Sequence, residues 1–79
     1  MNNQQVKALN QLVSVLSGGI AAKATNDLAS APLARIDECL RLTLEEMSQA
    51  VMQGDMKLQK QSTRKLESLQ SLRTLAEAL

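Results

Sequence analysis

Residues 50–58 read AVMQGDMKL, and the Gly-Asp pair near their centre decides how the chain folds. Gly54 can adopt the left-handed conformation that ends a helix, and Asp55 can cap the start of the next helix. Two helices that are joined by so short a turn lie side by side and antiparallel. The sequence therefore predicts a helical hairpin, with one helix over about 31–53 and the other over about 56–78.

The two predicted helices carry apolar residues at positions that meet in this hairpin. Ser30 can cap the first helix, and Pro32 suits its first turn because proline has no backbone N–H to contribute. The apolar stripes are Leu33, Ile36, Leu40, Leu44, Met47 and Val51 on the first helix, and Leu66, Leu69, Leu72, Ala76 and Leu79 on the second. Folding about Gly54 places Leu69 near Cys39 and Leu72 near Ile36.

A shorter helix is predicted upstream of the hairpin, over about 4–17, with Asn2 or Asn3 as its cap and glycines at its end. Its apolar residues form one narrow seam, which consists of Val6, Leu9, Val13, Leu16 and Ile20. Branched residues alternate with leucines along this seam, which is typical of two-stranded coiled coils. Two roles stay open: the seam packs on its own hairpin, or it is an interface for a protein partner or a second copy.

The chain as a whole is predicted to be one small all-α domain. Residues 18–30 form a connector of small residues with room for a short helix. A chain of 79 residues buries only about 60% of its unfolded surface. Cys39 is the single cysteine and histidine is absent, so neither an internal disulfide nor a Cys/His zinc site can add stability. We therefore expect oligomerisation or a partner to complete the bundle.

A basic segment on the last helix is the second candidate for function. Lys57, Lys60 and Arg64 share one helical face with Lys65 on its flank, which is a possible set of phosphate contacts for nucleic acid. The alternative is ion pairing with Glu45 and Glu46 on the preceding helix. We favour the ion pairs, because nine basic and eight acidic residues leave a formal net charge of only +1.

Three methionines and the cysteine have less specific interpretations. Met47, Met52 and Met56 flank the predicted turn, where thioethers suit either a core or an adaptable binding surface. The helical spacing favours the core. Cys39 is interpreted as a small buried hydrophobe, since a catalytic thiol would need a histidine base.

These patterns predict a noncatalytic protein-protein interaction module, such as a small regulator, adaptor or chaperone-like subunit that binds a protein target through an apolar helix face. Small helical proteins of this class are common among bacterial and phage regulators. A nucleic-acid-binding regulator is the alternative. We expect no enzymatic activity, no cofactor and no small-molecule substrate. The apolar runs are too short to cross a membrane, and the first residues lack the features of a secretory signal, which predicts a cytoplasmic protein.

Overall fold

The computed structural model describes residues 1–23, 28 and 30–79, and these residues form an all-α fold. The helices are α1 (Asn3–Ser17), the one-turn α2 (Ile20–Lys23), α3 (Pro32–Gln53) and α4 (Met56–Glu77). The predicted all-α class is confirmed, and three of these helices match predicted ones within two residues. The connector contains α2 as its short helix, while residues 24–27 and 29 lie outside the described residues.

Local side-chain chemistry explains where α1 begins and ends. The backbone N–H of Gln5 donates to Asn2 Oδ1 at 2.8 Å, and the Asn2 N–H donates to Gln5 Oε1 at the same distance. This reciprocal capping box satisfies two backbone groups that the first helical turn leaves free. Gly18 ends the helix with a φ of 55°, a conformation that residues with a Cβ rarely adopt.

The start of α3 differs from the prediction. Ala31, and not Ser30, occupies the N-cap position, and no side chain caps the helix. Pro32 at the first helical position needs no hydrogen-bond acceptor, so the helix starts there without the serine.

The turn between α3 and α4 follows the predicted chemistry. Gly54 is left-handed with a φ of 69°, and Leu58 donates its N–H to Asp55 Oδ1 at 3.0 Å. Side chains further along confirm the predicted register of the hairpin. Arg73 donates to Asp37 through two hydrogen bonds, and near the turn the Gln59 amide lies 3.5 Å from the Ala50 carbonyl.

Helix α1 packs along one side of the hairpin, parallel to α3 and antiparallel to α4. Arg35 of α3 donates to Asn10 Oδ1 at 3.0 Å. At its other end, α1 stops beside α4, where a Cβ added to Gly18 would lie 3.8 Å from Lys65 Cε. The shared core consists of Leu9, Val13, Ile20, Ala21, Ile36, Cys39, Leu69, Leu72 and Ala76.

Helix α3 is rotated relative to the predicted apolar stripe. The helix buries Pro32, Ile36, Cys39, Thr43 and Ala50. Leu44 and Val51 were predicted to be buried, and this is wrong, because they are 53% and 59% exposed. Small side chains at the contact allow two helices to approach closely, whereas a row of leucines would hold them apart. Leu79, which was predicted to belong to the apolar stripe of the last helix, lies beyond the end of α4 and is half-exposed.

Candidate functional site

The seam of α1 lies against the hairpin of its own chain. Leu9, Val13 and Ile20 are buried in the shared core, and Val6 and Leu16 are half-buried. Of the two roles left open by the sequence, this arrangement is the one in which the seam packs on its own hairpin. A second protein could reach the three buried residues only if α1 moved away from the hairpin.

A shallow apolar groove runs between α1 and α4 on the outside of the bundle. Leu12 and Leu75 form its rims and are 41% and 54% exposed. The residues that line the groove are Leu12, Leu16, Ser68, Ser71, Leu72 and Leu75. Serines at two of the α4 positions keep the groove open, because larger side chains there would fill the space between the rims. The groove is therefore suited to an apolar side chain or a helix from outside the chain.

The predicted basic segment divides into two parts with different environments. Lys65 is half-buried, and its ammonium lies 3.2 Å from Glu46 Oε1, which also accepts a hydrogen bond from Ser62. Lys57, Lys60 and Arg64 are exposed, and among the described residues none of the three forms an ion pair. The expected ion pairing with α3 thus occurs at Lys65, and three cations face solvent.

The acidic residues of α3 do not pair with those three cations. Glu45 was a predicted partner, but it binds Arg41 within its own helix, with 2.6 Å between Glu45 Oε1 and Arg41 Nη1. Arg41 also binds Glu38, which holds the pKa of the Glu38 carboxyl below its usual range. Pairing along α3 therefore leaves only Glu46 to face α4 in this region.

The groove and these three cations lie on one continuous face of α4. Arg64, Ser68, Ser71 and Leu75 recur at intervals of four, three and four residues, and Lys57 lies seven residues before Arg64. Residues at these intervals share a face of an α-helix. Because α1 ends beside Lys65, its wall of the groove stops where the cations begin. We call this surface, from Lys57 to Leu75, the α4 outer face.

A second apolar surface lies on α3, away from α1. It consists of Leu40, Leu44, Met47 and Val51, and we call it the α3 outer stripe. Leu40 and Met47 are half-buried, while the other two are more than half exposed. The spacing of four, three and four residues matches that of a seam between packed helices.

The methionines near the turn do not fill the core as predicted. Met52 and Met56 are exposed, and only Met47 is half-buried. The turn brings these side chains to the free end of the hairpin, beyond the part that α1 covers. Met56 lies with Lys60 and Arg64 in a depression on α4.

The middle of the bundle contains a layer of buried polar side chains. Thr43 donates to the Cys39 carbonyl at 2.7 Å, Ser17 donates to the Val13 carbonyl, and Ser62 donates to Glu46. Burial raises the pKa of the Cys39 thiol, and a nearby Ser17 hydroxyl opposes that shift only in part. Every buried side-chain polar atom of the described residues has a hydrogen-bond partner, so this layer serves to set the packing.

The described residues offer no other clear site for chemistry. Among residues 1–23, 28 and 30–79, no group of three histidine, cysteine, aspartate or glutamate side chains is placed to hold a metal ion. No helix in that part of the chain combines the length and apolar character needed to cross a bilayer.

Reasoning from the sequence missed the rims of the groove. Leu12 and Leu75 both lie off the predicted apolar faces, so they had no assigned role. A usable signal was present, since a large apolar residue outside the core-facing stripe is an unexplained feature of an amphipathic helix. No family model, no curated protein and no solved structure matches this chain.

Proposed function

We propose that this chain is a noncatalytic protein-interaction module that binds a helical segment of a protein target in the groove between α1 and α4. The observation that carries the proposal is the exposure of Leu12 and Leu75 on either side of a groove with an apolar floor. An amphipathic helix that lays its apolar face into such a groove removes both sets of side chains from water.

The size of the groove suits a reversible complex. Full burial of a leucine side chain contributes about 1.5–3 kcal/mol, and the two rim leucines are already about half buried. The target must supply a similar apolar contribution to offset the loss of rotational and translational freedom on binding. A regulator, adaptor or chaperone-like subunit that engages and releases its target would use a contact of this strength.

The proposal assigns the chain no catalytic role, cofactor or small-molecule substrate, and it places the chain in the cytoplasm. A single buried cysteine is compatible with a reducing compartment.

The test is to select amphipathic helices that bind the full chain from a displayed peptide library, and then to measure binding to groove variants. We expect Leu12→Asp with Leu75→Asp to abolish binding. Val15→Asp is the matched control, because Val15 lies on α1 outside the groove lining and is 77% exposed. Binders that tolerate the double groove variant, or that are lost with Val15→Asp alone, would contradict the proposal.

Self-association is the related proposal for the α3 outer stripe. Leu44 and Val51 on two copies can pack against each other, since a seam on one helix is complementary to itself across a twofold axis. We expect light scattering over a concentration series to show a dimer that Leu44→Lys converts to a monomer. A wild-type chain that stays monomeric at every concentration would exclude this use of the stripe.

Nucleic-acid binding is the second candidate, and the unpaired state of Lys57, Lys60 and Arg64 within the described chain favours it. It is ranked lower because the chain has no aromatic side chain to stack on bases and a net charge of only +1. It predicts binding that weakens steeply with salt and that Lys60→Ala with Arg64→Ala removes. No binding of DNA or RNA at low salt would exclude it.

A further inference from the structure

We propose that the helix bound by the groove is acidic at one end, and that its carboxylates lie over Lys57, Lys60 and Arg64. This inference rests on the proposed function and adds the chemistry of the partner. It joins two observations: the apolar groove ends beside Lys65, and three cations that form no ion pair with any described residue continue along the same face of α4.

The α4 outer face is long enough for such a partner, and it is divided into an apolar half and a cationic half. From Lys57 to Leu75 the helix rises by about 27 Å, which matches a partner helix of about five turns. The half that contains Ser68, Ser71 and Leu75 borders the α1 wall and is apolar at its rims. The other half projects past the end of α1 and is cationic. A helix lying along the whole face would therefore meet apolar contacts first and positive charge afterwards.

The local charge balance favours carboxylates. Glu67 lies in the same depression as Lys60 and Arg64 and is the single acidic residue among those that line it. With Lys57 included, this part of the face carries three positive charges and one negative charge. Glu46 offers no further compensation, because it already binds Lys65 and Ser62. Complementary charge raises the rate of association and selects the orientation of the partner.

Other occupants fit this face less well. A second copy docked with its α4 parallel would place like charges in contact, and one docked antiparallel would place its cations over the apolar groove; both arrangements are unfavourable. Nucleic acid would pair with the cations but would leave Leu12 and Leu75 exposed to water. An anionic membrane would meet a recessed groove without the aromatic side chains that anchor proteins at its surface.

The experiment uses the full chain and three labelled synthetic helices of about five turns. All three carry the same apolar residues, and the far end of each carries glutamate, glutamine or lysine. Fluorescence anisotropy measures binding at low and at physiological salt. We expect the glutamate helix to bind about tenfold more tightly than the glutamine helix at low salt, with a smaller difference at higher salt because ions screen exposed charges.

Charge-reversal variants of the protein identify which cations contact the acidic end of the helix. Lys60→Glu with Arg64→Glu should reverse the preference, so that the lysine helix binds most tightly. The matched control for the single variant Lys60→Glu is Lys7→Glu, which makes the same change of charge at an exposed lysine on α1 that does not line the groove. Circular dichroism of each variant checks that the fold is unchanged. A loss with Lys7→Glu equal to that with Lys60→Glu would show a general charge effect and overturn the inference.

The outcomes separate the two proposals. If the glutamine and glutamate helices bind equally well, the acidic partner is overturned and the groove stands. If none of the three helices binds, the proposed function itself fails. Oligonucleotides or phosphatidylserine vesicles that bind more tightly than the glutamate helix, with the same sensitivity to Lys60→Glu, would assign the face to nucleic acid or to a membrane and overturn the inference.

Discussion

Replacing Leu9 with alanine tests whether the α1 seam belongs to the core of its own chain. Leu9 is 2% exposed and lies in the cluster formed with α3 and α4. The substitution removes three carbon atoms, worth about 0.8 kcal/mol each, and leaves a cavity that adds to the cost. We expect the free energy of unfolding to fall by about 3–5 kcal/mol.

Leu12→Ala is the matched control on the same helix. Leu12 is 41% exposed on the rim of the groove, so its removal opens no enclosed cavity and should cost about 1 kcal/mol. Urea denaturation followed by far-ultraviolet circular dichroism measures both variants, since the chain has no tyrosine or tryptophan to report by fluorescence.

A chain of 79 residues has a total stability of about 4–12 kcal/mol, so Leu9→Ala can leave little folded protein. If Leu9→Ala leaves too little folded protein to measure, Ile20→Val removes less from the same core and should lower the free energy of unfolding by about 0.5–1.5 kcal/mol. The reasoning would be refuted if Leu9→Ala and Leu12→Ala destabilised the chain equally, or if Leu9→Ala changed the solution mass and left the unfolding midpoint unchanged.

Three further substitutions test the turn, the buried thiol and the cross-helix ion pair. Gly54→Ala should lower the free energy of unfolding by about 1 kcal/mol, because a φ of 69° strains a residue with a Cβ. Gly19→Ala is the control: a Cβ there meets open space and the φ is not positive, so urea denaturation should show no change. Because the pKa of the Cys39 thiol is raised in the folded chain, the unfolded chain loses the thiol proton first as the pH rises. The free energy of unfolding should therefore fall as the pH rises above about 9, the ordinary value for a thiol. Urea midpoints measured across this pH range should fall more steeply for wild type than for Cys39→Ala. Lys65→Ala should cost about 1–2 kcal/mol because it leaves its half-buried carboxylate partner with fewer contacts, whereas Lys60→Ala should change the thermal midpoint little.

The boundaries of the helices were predictable because each depends on a few neighbouring residues. The Gly54-Asp55 turn, the cap at Asn2 and Pro32 at the start of α3 act through local backbone geometry, which a sequence displays directly. The register of the hairpin followed from the turn, since its length determines which residues of the two helices lie opposite each other. The N-cap of α3 was the exception, because a proline at the first position made a capping serine unnecessary.

The burial of α3 was not predictable from its apolar spacing. The helix has two faces that could form a core, one lined by Leu40, Leu44 and Val51 and the other by smaller residues such as Cys39 and Thr43. Apolar periodicity favours the first face because it counts hydrophobic residues. Packing selected the second, since close approach to α4 depends on the size of the side chains at the contact. The larger side chains were left for the outer surface.

The sequence by itself therefore determined the helices, their ends and the hairpin, since these depend on contacts between residues that are near in the chain or related by one turn. Tertiary structure decided which faces meet. It placed the α1 seam in the core, paired Lys65 with Glu46 and left Lys57, Lys60 and Arg64 beside an apolar groove. A stripe that faces its own chain and one that faces a partner have the same spacing, and only the packing of all the helices together distinguishes them.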